Sequence, residues 1–253
     1  MKGAKKRKPS VISKLANARL LAQHGTIRKS VPPILLLTQS NLCRMVEKYS
    51  TVYVKPNDSC QGKGIIRIDR LQNGSFLIRT RDYQQQTRCK GKRNMWLKVQ
   101  RFLRKRLYVV QKGIHSVTRG GIPYDIRIHV LRVKGRWQVG GMVGRLAKKN
   151  QILTNRHSGG MAIALDDLLA QGLGLNQIAR DQLKRNLAKV GLIAANVISR
   201  VHPKWAEFGV DVGIDPRGRI WIYEVNITPG FMNFRDVDKR SFQRIISLRK
   251  IAK

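Results

Sequence analysis

The chain has 253 residues, 42% of them hydrophobic and 26% charged, which is enough for a packed core and excludes a disordered or collagen-like polymer. Lys and Arg number 51 against 14 Asp and Glu, a net charge of +37 at pH 7, which excludes the near-neutral surface of an ordinary metabolic enzyme. No apolar run approaches a membrane span, and no cleavage site follows the basic N-terminus, so neither a transmembrane helix nor a secretory leader is expected. Cys43, Cys60 and Cys89 are odd in number and form no CxxC pair. They argue against a disulfide framework or zinc site and for a reducing, cytoplasmic compartment.

A field this positive attracts nucleic acid, anionic polymers or acidic proteins, and it is equally the signature of a highly solvated surface. Met1–Ser30 holds nine Lys or Arg and no acid, and Tyr83–Tyr124 holds eleven and no acid. Carboxylates are scarce, so a cluster of them needs a cause. Six of the fourteen fall between Glu207 and Asp238.

In chain order, residues 1–12 read as a basic tail. Ser10–His24 has helical apolar spacing with a serine cap, and Gly25 ends it. Pro32-Pro33 forces an extended link, and Ser40–Lys48 is a short helix with Leu42, Met45 and Val46 inward. Val52–Pro56 is a strand. Ile65–Asp69 and Ser75–Thr80 form a hairpin through Asn73-Gly74. Met95–Leu107 reads as a basic amphipathic helix with Trp96, Val99, Phe102 and Leu103 on one face, and Leu107–Gln111 as a strand. Lys112-Gly113 links two lobes, which places residues 13–110 in one and 111–240 in the other, with 241–253 a basic terminal stretch. In the second lobe, Ile126–Val133 and Arg136–Met142 flank Lys134-Gly135, and Ala147–Gly160 is a polar loop. Asn176–Val201 is the longest helix, with Ile178, Leu183, Leu187, Val190, Ala194 and Val197 inward. Phe208–Ile214 and Arg219–Asn226 form the last hairpin. Hairpin-paired strands with helices between them predict an α+β fold.

That last hairpin carries the strongest chemistry. Strand alternation puts Glu224 and Asn226 on one face. A four-residue loop, Pro216–Arg219, pairs Asp215 with Ile220, and the same register sets Asp211 opposite Glu224. Two carboxylates and an amide oxygen then converge. They suit Mg²⁺, a hard cation held by one or two carboxylates plus substrate phosphates, or they are acids paired with the many Arg and Lys. Lys55 ends an apolar strand before a loop with Gly62, Lys63 and Gly64, where backbone N–H groups could cradle phosphate. It is not a Walker A motif, and taken alone the loop reads as a hairpin-like turn with solvated lysines.

Taken in order, these segments resemble the ATP-grasp superfamily, and more narrowly the endospore coat-associated YheC/YheD family. The resemblance runs from about Ser13 to Phe234. It implies two α+β lobes holding ATP between them, with a reduced or missing N-terminal domain, since about a dozen residues precede Lys14. It implies that Lys14 and Lys55 reach the phosphates. It makes the loop with Ser59, Gly62, Lys63 and Gly64 a lid, and it has Gln111, Lys112 and Ile114 meet adenine and Asp125 meet the ribose. Arg145 and Asn155 face the reacting phosphate and carboxylate, with Lys55 sharing the catalytic work. Asp211, Glu224 and Asn226 hold magnesium.

The implied activity is an ATP- and Mg²⁺-dependent ligase that activates a carboxylate as an acyl phosphate for an amine or similar acceptor. The carboxylate or acceptor would be acidic or polyanionic, and spore association follows from the likeness. Two other classes stand beside it: a non-catalytic spore-associated protein binding anionic polymers through a retained nucleotide fold, and a nonspecific nucleic-acid binder. The remaining histidines show no metal spacing. His157 in the Asn–Gly-Gly loop reads as a substrate contact or as incidental, and Cys60 has no visible base partner.

Overall fold

A computed structural model describes residues 13–58, 62–80, 86–148, 154 and 160–252. The first lobe is built on a six-stranded antiparallel sheet: β1 (Ile34–Leu36), β2 (Thr51–Pro56), β3 (Ile66–Arg70), β4 (Phe76–Thr80), β5 (Gln86–Cys89) and β6 (Tyr108–Lys112), in the order β1-β6-β2-β3-β4-β5. Alternation along β2 decides its two faces. Val52 and Val54 are fully buried beneath helices α2 (Gln39–Lys48) and α3 (Lys92–Gln100), which contribute Leu42, Met45, Val46, Met95 and Val99. Tyr53 and Lys55 point to the opposite face. Thr38 caps α2 by accepting a hydrogen bond from the Asn41 N–H, as its position before an apolar-periodic run dictates.

The second lobe is a five-stranded antiparallel sheet: β7 (Tyr124–Val133), β8 (Arg136–Leu146), β9 (Met161–Ala164), β10 (Glu207–Ile214) and β11 (Ile220–Ile227), in the order β11-β10-β7-β8-β9. One face is the main core, where Ile126, Ile128, Val130, Val210 and Val212 meet Leu187, Ala194, Ala195 and Ile198 of α5 (Gln177–Ser199). Gly191 lets α5 sit close: a Cβ there would lie 2.7 Å from Ile128 Cγ2. The first described helix, α1 (Lys14–Gln23), belongs to the same core through Leu21, so it packs on the second lobe although it precedes the strands of the first. Short α4 (Leu165–Asp167) runs into a π turn, Leu168–Gly172. The other face of the sheet is partly covered by α6 (Met232–Val237) and α7 (Lys239–Ile251), whose Phe234 and Ile245 pack on Val143.

Several sequence expectations need correction. The basic helix spans Lys92–Gln100 and stops before Phe102 and Leu103, which still pack against the core from the turns that follow. Ile178 is 80% exposed, because it lies in the first turn of α5 and the earliest α5 side chain packed on the core is Leu183. The loop of the last hairpin is one residue shorter than expected: Ile214 pairs with Ile220, and Asp215 donates its N–H to Arg219. The basic C-terminal stretch contains α7, whose Phe242 and Ile245, three apart, turn inward. Among the described residues no helix is long and apolar enough to cross a membrane, and Cys43 and Cys89 are free thiols. Cys60 and His157 lie outside the described residues.

Candidate functional site

The polar face of the second sheet carries a continuous cross-strand row. Asp125 and Arg127 share that face of β7 because the intervening Ile126 points into the core. Register then pairs Asp125 with Arg145 on β8, Arg127 with Asp211 on β10, and Asp211 with Glu224 on β11. Arg145 lies within β8, which extends four residues past its expected end. Arg145 donates to both oxygens of Asp125 at 2.6 and 2.8 Å, and its Nη2 also stands 3.0 Å from Asp211 Oδ1. Arg127 holds Asp211 through both Nε and Nη2, the latter at 3.0 Å. Asn226 Nδ2 donates to Asp211 Oδ2 at 3.1 Å and to Glu224 Oε1 at 3.0 Å. Lys14 Nζ lies 3.8 Å from Glu224 Oε2.

Glycine makes the row fit. Gly209 and Gly213 flank Asp211 on the same face. A Cβ at Gly209 would meet Pro229 at 2.7 Å and Arg127 at 3.0 Å, and one at Gly213 would stand 1.8 Å from the Tyr223 hydroxyl. Both positions must be empty for Arg127 and Tyr223 to occupy the space they do.

Burial raises the Asp125 carboxyl above its ordinary range, with Arg145 opposing that shift. Burial acts on Asp211 in the same direction, yet Arg127 and Arg145 outweigh it and hold that carboxyl below the usual carboxylate range. Charges of both signs in the row therefore neutralise one another away from water.

Across from the row stands Lys55 of β2. Its Nζ donates to Gln111 Oε1 at 2.7 Å and lies 5.4 Å from the Tyr53 ring centre. Burial lowers its pKa to about 8, partly offset by the attraction of Glu224, Asp211 and Asp125. Gln111 Nε2 reaches the Tyr223 carbonyl at 3.5 Å, and the Tyr223 hydroxyl meets Ser116 Oγ at 2.8 Å. Lys112 stacks over Trp221 at 4.7 Å, and Ile114 follows in the link between the lobes. Gly62 and Gly64 adopt φ of 69° and 71°, left-handed conformations that favour glycine, on either side of Lys63.

The structure thus brings together Lys14, Lys55, Gln111, Asp125, Arg145, Asp211, Glu224 and Asn226. Ser59 and Asn155 lie outside the described residues. Asp125, expected at a ribose, has both oxygens engaged, by Arg145 and by the Thr154 hydroxyl. Sequence reasoning left Arg127 without a role, although its place two residues after Asp125 on a strand was signal enough. It also missed Tyr223 and Thr154. Thr154 sits in a polar loop whose sequence carries no periodicity to place it.

Does the donor set suit magnesium? Among the described residues no three His, Cys, Asp or Glu side chains stand together as a metal group. Asp211 and Glu224 supply two carboxylates, which matches a cation binding one or two carboxylates and completing its shell from phosphates and water, whereas Asn226 meets them through its donor Nδ2, so its expected oxygen ligand would require the amide to turn over. The residues fit a metal that arrives with a nucleotide better than one held by protein alone.

Comparisons with known proteins give the family and the fold. The family model described as YheC/D like ATP-grasp matches residues 4–251, and the chain belongs to that family. It is 26% identical over 218 residues to the endospore coat-associated protein YheD of Bacillus subtilis (strain 168), covering 82% of this chain and 47% of YheD. It is 23% identical over 222 residues to YheC of the same organism, covering 83% of this chain and 58% of YheC. The chain therefore spans about half the length of these relatives. Among solved structures it resembles the VanG D-Ala:D-Ser ligase of Enterococcus faecalis (TM-score 0.55, 13% identity, 94% of this chain and 61% of that one). The D-alanine-D-alanine ligase of Coxiella burnetii is similar (TM-score 0.55, 11% identity, 96% and 57%). The ATP-grasp ligase PsnB, solved with a precursor variant, Mg and ADP, has a TM-score of 0.51 at 14% identity over 94% of this chain and 59% of that one. The fold is ATP-grasp.

Proposed function

We propose that this chain, a member of the YheC/D-like ATP-grasp family, binds Mg·ATP between its lobes and activates a carboxylate as an acyl phosphate for ligation to an amine or similar nucleophile. The observation that carries the reading is half-buried Lys55 of one lobe, which donates to Gln111 at 2.7 Å while the Gln111 amide reaches the Tyr223 carbonyl of the other lobe, next to Glu224 in the strand that pairs with Asp211. A cation on one wall and carboxylates on the opposite wall are what a triphosphate with its metal needs.

In this reading Lys14 and Lys55 bind the phosphates, and the backbone at Gly62 and Gly64 covers them. Gln111, Lys112 and Ile114 line the base end. Asp211, Glu224 and Asn226 would hold magnesium, which when bound neutralises charge on the β- and γ-phosphates. The carboxylate oxygen of the substrate bonds to the γ-phosphorus as its bond to the bridging oxygen breaks, and ADP leaves. Arg145 lends positive charge to that transfer, positioned by Asp125, since phosphoryl transfer depends on placement and electrostatics more than on a protein nucleophile. The acceptor then attacks the acyl carbon, phosphate departs with the bonding pair, and the proton released from the acceptor nitrogen passes to that phosphate.

One observation favours a second reading. Asp211 is already engaged by Arg127, Arg145 and Asn226, which suits a nucleotide fold kept without turnover in a spore-associated protein. Thermal melting with Mg·ATP, with ATP plus EDTA and with neither separates nucleotide binding from none: a magnesium-dependent rise in midpoint is expected. Phosphate release screened over carboxylate and amine pairs then separates the ligase from the silent fold.

A further inference from the structure

The +37 charge is not explained by the cleft. Lys55 and the cleft lie on one face of the first sheet, whereas α3 packs on the other through Met95 and Val99, with β2 between them. The outward side of α3 and its flanks therefore form a separate surface on the back of the first lobe. Helical spacing decides what it presents. Met95 and Val99, four apart, turn inward, so Arg93, Leu97 and Arg101, also four apart, form an outer stripe. All three are exposed, as are Lys90 just before the helix and Lys105 just after it. No acid occurs in the sequence from Tyr83 to Tyr124. The neighbouring acids Glu47 and Asp58 each meet a cation of this segment, Lys92 and Arg106.

We infer that this α3 surface docks the phosphate backbone of double-stranded nucleic acid. The partner's class follows from what the surface has and lacks. A duplex carries about one negative charge per 1.7 Å of axis, and cations against it gain by releasing condensed counterions. An extended acidic polypeptide presents charge on one side only every second residue, roughly 6.6 Å apart, and gains far less. Single strands are held by stacking bases on aromatic side chains, and no aromatic stands among the exposed large hydrophobic side chains of the described residues. Backbone contact without base readout is what remains, and it positions without specifying sequence.

Fluorescence anisotropy with a labelled 25-base-pair duplex of arbitrary sequence, from 50 to 300 mM KCl, tests this on the full chain. The variant carries Lys90→Gln, Arg93→Gln, Arg101→Gln and Lys105→Gln. Its affinity at 100 mM KCl should fall about tenfold or more, and the slope of log affinity against log salt should flatten by about 3 to 4. The magnesium-dependent melting shift with ATP should match wild type, which separates this inference from the proposed activity. A control with Arg136→Gln, Arg217→Gln, Lys239→Gln and Arg240→Gln removes four exposed cations from the second lobe. Equal losses in the two variants would mean a diffuse field and overturn the assignment to α3. So would wild-type protein that ignores duplex at 150 mM KCl, or one that prefers poly-L-glutamate or a single strand of equal charge. If the quartet misfolds, the pairs Lys90→Gln/Arg93→Gln and Arg101→Gln/Lys105→Gln give the same reading, each with about half the slope change.

Discussion

Asp211 faces Glu224 because Tyr223 is bulged out of β11. Val212 pairs with Ile222 and Asp211 with Glu224, so Tyr223 has no partner on β10. Below the bulge Ile220 and Ile222 point into the core, and above it Val225 takes that side. The bulge shifts the alternation by one and turns Tyr223, Glu224 and Asn226 to the face that carries Asp211. Without it the shorter hairpin loop would set Tyr223 opposite Asp211.

Glu224→Ala should leave the fold intact and abolish the magnesium-dependent melting shift. The Glu224 side chain is 32% exposed and its ion pair with Lys14 is 3.8 Å long, so losing the pair costs about 0–1 kcal/mol. Circular dichroism checks the fold. An unchanged shift with Mg·ATP would remove Glu224 from the site.

Arg127→Ala should be far more costly. It strips a buried guanidinium from a buried Asp211, a change worth about 3–5 kcal/mol in urea unfolding. Gly209→Ala should be destabilising as well, by about 1–3 kcal/mol, since its Cβ would stand 3.0 Å from the Arg127 side chain and 2.7 Å from Pro229.

Nucleotide affinity should weaken in mild alkali. Lys55 has its pKa lowered to about 8 by burial, so in the free protein its ammonium is lost above that pH. Between pH 7 and 9 affinity for Mg·ATP should drop roughly tenfold, and the Lys55→Gln variant should lack this dependence. Stability runs the other way. From pH 8 to about 10.5 the unfolded chain holds the lysine proton and the folded chain does not, so this group makes the fold more stable as pH rises.

Acid should loosen the C-terminal helix. Glu207 accepts from His129 Nε2 at 2.7 Å and from Arg249 of α7 at 2.8 Å. Burial lowers the His129 pKa, so stability falls as pH drops below about 6.5, where the unfolded imidazole gains a proton that the folded one resists. Burial alone would raise Glu207, but His129 and Arg249 outweigh it and hold it low, so its contribution is lost at still lower pH, as pH falls below its ordinary value near 4.5. Hydrogen exchange over α7 at pH 7, 5 and 4 should show faster exchange with acid, with Glu207→Gln already fast at pH 7.

Local chemistry was legible in the chain itself. Val52–Pro56, the Asn73-Gly74 turn, the serine cap of α1 and the facing of Asp211 and Glu224 follow from period, turn residues and hydrogen-bonding side chains close in sequence. The facing was reached from the wrong loop length, however, and a one-residue bulge corrected it. The sequence also determined the family, because ordered motifs survive where overall identity does not. Only the tertiary structure decided that Arg145 would be shared by Asp125 and Asp211, that Arg127 would lock Asp211, and that α1 would join the second lobe. These depend on which elements become neighbours across long stretches of chain, 84 residues for Arg127 and Asp211 and more for α1, and a charge carries no periodicity from which its distant partner can be read.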